Sequence, residues 1–369
     1  MKKKINIIFI VLFIIIIILV PITMVFTEDK EFSENENRYL SSKPKISINE
    51  ILNGKYFKNF EKYVDDQFVF RDKLYEIKTQ VQILAGNKDI NGVYLAKDNY
   101  LIEKKLDSEV DKEKLQENMN KINEFTNNNK DKKIQMMIVP TASLILEEKL
   151  PKNASEYNQN EILDEIKNNL KNATFIDLKE QLLDHKEEYI YYKTDHHWTS
   201  LGSYYAYQEW CKYNNINTEI KDYSRKTVTA EFKGSLYSKV LNRNVEEDEI
   251  EIFIPKEEVN YEVTYNFNKN SNSSIYDFEK LKTKDKYQIF FGGNYPEIKI
   301  DTSNKNEKKL LLLKDSYANS FIPFLLNNYE NIYVVDMRYF KENLDEYMAE
   351  NDINEILILY NATNFIDIK

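Results

Sequence analysis

Two short stretches hold side chains that could do chemistry together. One is Asp195-His196-His197-Trp198-Thr199 and the other is Lys314-Asp315-Ser316-Tyr317. A serine hydroxyl becomes a nucleophile when an imidazole takes its proton, and the imidazole needs a carboxylate to fix its tautomer. Asp195 and His197 are two positions apart. In an extended loop both side chains face one way and His196 faces the other. A carboxylate placed so could hold the His197 imidazole in one tautomer. Ser316 follows Leu310-Leu311-Leu312-Leu313, which reads as a buried strand. A serine at the carboxyl end of such a strand sits where α/β folds bind ligands. A helix beginning near Ala318 would point its free N–H groups at a developing oxyanion. The same serine could instead merely cap that helix, and either histidine could be a structural surface group. Asp-His-His is also a set of metal ligands, of the kind found in manganese phosphoesterases. Such sites need further Asp and His ligands upstream. Only His185 is left to serve, and no Asp-x-Asp pattern precedes the triplet. The expectation is a site without metal or cofactor.

These residues must be held by an alternation of elements. Helices are expected at about 112–127, 160–172 and 201–214, with strands at 134–139, 174–177, 309–313, 332–335 and 356–360. Residues 287–291 read as a further core segment. Apolar strands alternating with helices argue for a parallel α/β sheet with crossover helices. Residues 91–102 read as a hairpin turning at Asp98-Asn99. Residues 51–84 show apolar side chains at helical spacing. Residues 225–285 are polar with short β-like runs, and read as a partly β insertion on the α/β core.

The first 27 residues are of another kind. Lys2, Lys3 and Lys4 precede an apolar run from Ile5 to Phe26, long enough to cross a bilayer as a helix. The lysines favour a cytoplasmic N-terminus. A cleaved signal peptide is the competing reading, but Met24-Val25-Phe26-Thr27 is bulky where a cleavage site would be small. Either way the rest of the chain is expected outside the cytoplasm, in the first case as a single-pass membrane protein. The domain plan is therefore an anchor or signal at 1–27, a stalk at 28–50 and one catalytic domain at 51–369. A net charge of -10 with scattered cations argues against nucleic-acid binding, which needs clustered Lys and Arg. Cys211 is the only cysteine, so neither an intramolecular disulfide nor a cysteine zinc site can form.

Taken together, Asp195-x-His197-Trp198-Thr199 and the later Lys314-Asp315-Ser316-Tyr317 resemble the DHHW family. That family is similar to the alginate O-acetylation proteins AlgX and AlgJ, which carry an SGNH-like hydrolase domain. Further blocks carry the resemblance: Glu36-Asn37-Arg38-Tyr39-Leu40 with Pro44, Asp66 to Arg71, Asn91 to Ile102, Val139-Pro140-Thr141, Phe291-Gly292-Gly293-Asn294 and Asp336-Met337-Arg338-Tyr339-Phe340. The resemblance implies an SGNH-like parallel sheet flanked by helices, with Ser316 as nucleophile, His197 as base and Asp195 as orienter. It makes Gly293, Asn294 and Asn361 candidates for completing an oxyanion hole. Arg338 could bind a substrate carboxylate or pair with Asp336, and the pairing is favoured. Lys314 stands where ordinary SGNH proteins have glycine.

The implied activity is O-acetyl transfer to a cell-surface or extracellular polysaccharide through an acyl-serine, or acetylester hydrolysis when water is the acceptor. The implied partner is a multi-spanning membrane acyltransferase that delivers the acetyl group. A reading of a different class is a non-catalytic protein that binds glycan or a cell-wall assembly partner on the same scaffold. A metal-dependent phosphoesterase is the third.

Overall fold

Blunt apolar runs between polar turns build the central sheet. In the computed structural model, which describes residues 2–242 and 244–367, eight strands form it. They are β1 (Lys133–Val139), β2 (Thr174–Phe175), β3 (Tyr261–Tyr265), β4 (Asn270–Asn272), β5 (Glu297–Thr302), β6 (Lys309–Lys314), β7 (Asn331–Val335) and β8 (Glu355–Asn361). Their spatial order is β4-β3-β5-β7-β6-β8-β1-β2. The run from β7 to β2 is parallel, and β5, β3 and β4 extend it antiparallel. The fold is α/β with a mostly parallel sheet.

Alternation along β6 and β8 sends side chains to both faces. Leu310, Leu312, Leu357 and Leu359 join one apolar core with Tyr204, Tyr207 and Trp210 of the Ser200–Tyr213 helix. Leu311, Leu313, Ile356 and Ile358 join the other, with Leu115 and Met119 of the Lys112–Asn128 helix and Ile162 and Ile166 of the Gln159–Asn169 helix. Burial on both faces is what makes these strands apolar between their end residues. The register aligns Lys314 with Leu359 and Asn361 with Val139, so the chain leaves β6, β8 and β1 along one edge.

Four local expectations need correction. Residues 287–291 do not form a strand: Lys286–Ile289 is a 3-10 turn. No α-helix follows Ser316 directly: Ser316–Ser320 is a 3-10 turn, and a single turn of helix, Ile322–Leu325, comes after it. Residues 225–285 are not simply appended, because β3 and β4 extend the main sheet. Before them, Tyr223–Phe232 and Asp248–Pro255 pair as a separate antiparallel ribbon. The strand Glu297–Thr302 has no counterpart among the expected elements.

By contact the chain divides into two units, Met1–Asn87 with Val240–Arg243, and Lys88–Lys239 with Asn244–Lys369. The first holds the helix Lys2–Phe26, of which Lys4–Phe26 is long and apolar enough to cross a membrane or serve as a signal sequence. It also holds the helices Ile48–Leu52, Lys55–Gln67 and Arg71–Leu84. Two of the blocks noted in the sequence meet here. Arg38 donates to the buried carboxylate of Asp66 at 2.5 and 3.2 Å, and Arg71 pairs with Glu36 at 2.6 Å. The helical spacing in 51–84 does not mark a core stripe, since Phe57, Leu74, Ile77 and Val81 are exposed.

Candidate active site

Asp195 lies in a loop closed by the pairing of Tyr191 with Trp198. Its Oδ1 accepts from the backbone N–H of His197 at 3.0 Å and from the His197 ring Nδ1 at 2.5 Å. An Asx-type turn, rather than an extended zigzag, thus sets the two side chains together. Oδ2 accepts from the Ser235 N–H at 2.7 Å. Burial opposes the charge on Asp195, but the two neighbouring histidines and these hydrogen bonds outweigh it and hold the carboxyl well below its ordinary range.

The loop itself is pinned by Asp248, a buried carboxylate that accepts from Lys193 N, Thr194 N, Thr194 Oγ1 and the Tyr189 hydroxyl. Gly234 completes the enclosure. Its N–H donates to Thr194 Oγ1 at 2.9 Å, and a Cβ built on it would overlap the Asp195 side chain.

Ser316 leaves the end of β6. Asp315, just before it, accepts from Tyr317 N at 2.8 Å, from Asn361 N at 2.9 Å and from Asn364 Nδ2 at 2.8 Å. The Asp of the Asp-Ser pair therefore ties the turn to the end of β8. Lys314 is wholly buried and donates to Asn319 Oδ1 at 2.7 Å across the turn. Burial pushes its ammonium down to about 8.

The two loops meet at His197 Nε2 and Ser316 Oγ, 2.8 Å apart. Trp198 Nε1 donates to Tyr317 O at 2.9 Å, and the Tyr317 hydroxyl donates to His196 O, so the motifs are also bonded around the reacting pair. Tyr287 stacks on the His197 ring, with centroids 3.9 Å apart and planes 10° apart, and its hydroxyl donates to Ser316 O at 3.1 Å.

His196 does not turn to the opposite side. Its ring lies 3.9 Å from that of His197, and its Nδ1 bonds to Ser235 Oγ at 2.7 Å rather than to Ser316. Of the oxyanion candidates, Asn361 lines a cleft with Asp195, His196 and Tyr317. Its Oδ1 accepts from Asn364 N at 2.7 Å, and its Nδ2 makes no hydrogen bond among the described residues. Gly293 and Asn294 follow the turn that carries Tyr287, and a Cβ built on Gly292 or Gly293 would meet Asp277, Tyr295 or Gln288, not Asp195, His197 or Ser316. Arg338 grips the buried Asp336 at 2.8 and 2.5 Å. His185 stacks on Tyr205 and bonds to Glu188, apart from this chemistry.

Asp195, His196 and His197 place one donor atom each within 4.8 Å of one another. Two of the three are committed to other contacts: Asp195 accepts hydrogen bonds on both oxygens and His197 Nε2 faces Ser316. Four participants escaped the sequence reading. Tyr287 was hidden among 27 tyrosines, and Asp248 and Ser235 sit in the polar stretch read as an insertion. Gly234 alone carried a signal, as one of seven glycines in the chain.

Known proteins resemble the chain in sequence and in fold. A model of the DHHW protein family matches residues 113–335. A DHHW family protein from Eubacterium siraeum superposes with a TM-score of 0.65 at 26% identity, over 75% of this chain and 93% of its own. Bacillus cereus PatB1, in a structure with a sulfonyl adduct, gives 0.63 at 22% identity over 74% of this chain and 94% of its own. The O-acetyltransferase domain of Pseudomonas putida AlgJ gives 0.47 at 13% identity, over 75% of this chain and 93% of its own. Among curated proteins there is no match.

Proposed function

The chain belongs to the DHHW family, and on that premise we propose that it is a serine O-acyltransferase that moves acetyl groups onto a polysaccharide outside the cytoplasm. One observation carries the reading: an unbroken hydrogen-bond chain from Asp195 through His197 to Ser316, with links of 2.5 and 2.8 Å. That is the order of contacts a serine nucleophile needs.

Ser316 Oγ attacks the acetyl carbonyl of the donor while His197 Nε2 takes its proton. Asp195 stabilises the imidazolium and holds the ring in register, and Tyr287 fixes the ring plane by stacking. The tetrahedral intermediate expels the donor's leaving group, which receives the proton from His197, and acetyl-Ser316 remains. A sugar hydroxyl then attacks this ester, gives its proton to His197, and Ser316 departs with that proton restored. No electrons change hands. Water in place of the sugar makes the same site an esterase, so the outcome depends on exclusion of water. The side-chain amide of Asn361 is the donor we assign to the oxyanion, because its hydrogens are uncommitted and it shares a cleft with Asp195. Gly293 and Asn294 are left to shape the turn that carries Tyr287. The multi-spanning acetyl-delivering partner belongs to the same proposal, as does the domain plan of anchor, stalk and catalytic domain.

The test is covalent labelling. PatB1 carries a sulfonyl adduct in one structure, and a sulfonyl fluoride is the matching probe here. Purified chain treated with phenylmethylsulfonyl fluoride should gain one adduct, mapped by peptide mass spectrometry to Ser316. Untreated protein given an acetyl ester should transfer its acetyl group to a glycan oligomer, and the labelled protein should not. An unlabelled Ser316 in folded protein would refute the catalytic reading and leave the glycan-binding one.

A further inference from the structure

The smaller unit carries an apolar face that is exposed. Phe70, Leu74, Ile77, Val81 and Leu84 follow one another at steps of four, three, four and three, so they form one stripe along the Arg71–Leu84 helix. All five are between 48% and 86% exposed. The residues turned inward on this helix are Arg71 and Thr79. The helix is therefore amphipathic with its apolar side outward, and a contiguous exposed patch of this kind marks an interaction surface. The neighbouring Lys55–Gln67 helix adds exposed Phe57 and Phe60.

Charge and position name the occupant. Lys73 and Lys78 flank the stripe, one on each side, while Asp72 and Glu76 lie on the inward half of the helix. The two lysines rest against the Phe70 and Tyr75 rings, and neither pairs with an acid among the described residues. A second copy of this helix laid on the stripe would set lysine against lysine along its edges. An anionic lipid surface would accept the apolar stripe and both ammonium groups together.

The unit is also tied to the outer end of the apolar N-terminal helix. Tyr63 donates to Asp29 Oδ1 at 2.9 Å, and the Gln67 side chain bonds both Lys30 N and Lys30 O. Asp29 is three residues beyond Phe26, where that helix ends, and three residues reach no more than about 11 Å. Asn35, a little further on, donates to Asp72 at 2.8 Å at the start of the Arg71–Leu84 helix.

We propose that this face lies on the membrane surface beside the anchor. The stripe enters the boundary between headgroups and acyl chains, and Lys73 and Lys78 meet anionic phosphates. The inference rests on reading the N-terminal helix as a retained anchor.

The test uses the full chain with Ile77→Trp, reconstituted in vesicles of phosphatidylcholine and phosphatidylglycerol with brominated acyl chains. Trp198 and Trp210 are buried in the core, so the parent supplies a steady baseline. Most of the added fluorescence should be lost relative to unbrominated vesicles, and adding Lys73→Glu with Lys78→Glu should restore it. Undiminished fluorescence from Ile77→Trp would overturn the proposal. So would an efficient Ile77→Cys cross-link between two copies in the same vesicles, which would make a second chain the occupant. Alkaline carbonate scores the anchor separately: release into the supernatant sinks the anchor reading. If released protein still floats with phosphatidylglycerol vesicles, the face stands; if it floats with none, the face falls too.

Discussion

Asp195 is the residue on which the candidate site turns, because three donors converge on its two oxygens and one of them is the His197 ring. A triad works as a unit, so its members should be costly singly and not additive. With p-nitrophenyl acetate, Ser316→Ala and His197→Ala should each lower kcat/KM about a thousandfold or more, and the double variant should be barely worse. His196→Ala should cost about tenfold or less, since its ring bonds Ser235 and not the nucleophile. Equal losses from both histidine variants would undo this assignment. Gly234→Ala is the sharper probe. Its methyl would take the space of the Asp195 side chain, so activity should fall about a hundredfold while the far-ultraviolet spectrum stays that of the parent. Parent-like turnover would mean that Asp195 does not need its seat. Chelation with EDTA should leave turnover unchanged, because within the Asp-His-His cluster Asp195 bonds His197 and His197 bonds Ser316. Loss on chelation and recovery with manganese would favour the phosphoesterase. At this scale residue type and spacing alone singled out Asp195, His197 and Ser316, which the fold brings into contact. The sequence was silent on Tyr287 and Asp248, whose roles come from contacts across the chain.

At the scale of elements, legibility followed burial. Strands β6, β7 and β8 are apolar between their end residues because both faces are buried, and that pattern is visible without coordinates. Glu297–Thr302 reads Glu-Ile-Lys-Ile-Asp-Thr, and only Ile298 and Ile300 declare it, since its other positions are polar although Glu297 and Thr302 are buried as well. The turn at Ser316 was misjudged for another reason. Asp315 and Lys314 hold it through bonds to Tyr317, Asn361 and Asn319, and such bonds stabilise a 3-10 turn where propensity alone suggests a helix. Lys314 makes this measurable. Its pKa is about 8 when folded, against an ordinary 10.5. Below pH 8 both folded and unfolded chains hold the proton, and the burial penalty is fully felt. Between pH 8 and 10.5 the unfolded chain binds a proton that the folded chain has shed, so this group favours folding increasingly as pH rises. The stability of Lys314→Met minus that of the parent should therefore fall by about 1.4 kcal/mol per pH unit across that window. Urea titrations at several pH values measure it. A flat difference would show that Lys314 keeps its proton in the core.

For the whole molecule, the decisive question is which side of a membrane the large unit occupies. The Lys4–Phe26 helix is apolar along its length and packs none of its most apolar stretch inside the protein. At about 1.5 Å per residue it spans roughly 35 Å, enough for a hydrocarbon core of about 30 Å. Left in water, its exposed Ile, Phe and Val side chains would be strongly unfavourable. Lys2, Lys3 and Lys4 cluster at its start, and lysines there favour a cytoplasmic N-terminus. The bulky residues before Glu28 offer signal peptidase no small side chain to seat. Protease added to intact spheroplasts should therefore digest the large unit, and a short fragment containing residues 4–26 should stay with the membrane. Terminal sequencing of the undigested protein should read from the first residues of the chain. A protected large unit would place it in the cytoplasm, where no extracellular glycan can reach Ser316. A mature terminus near Glu28 with full digestion would instead keep the unit outside and make the helix a cleaved signal, which leaves the proposed triad chemistry intact but removes the tether to the proposed membrane-borne acetyl donor.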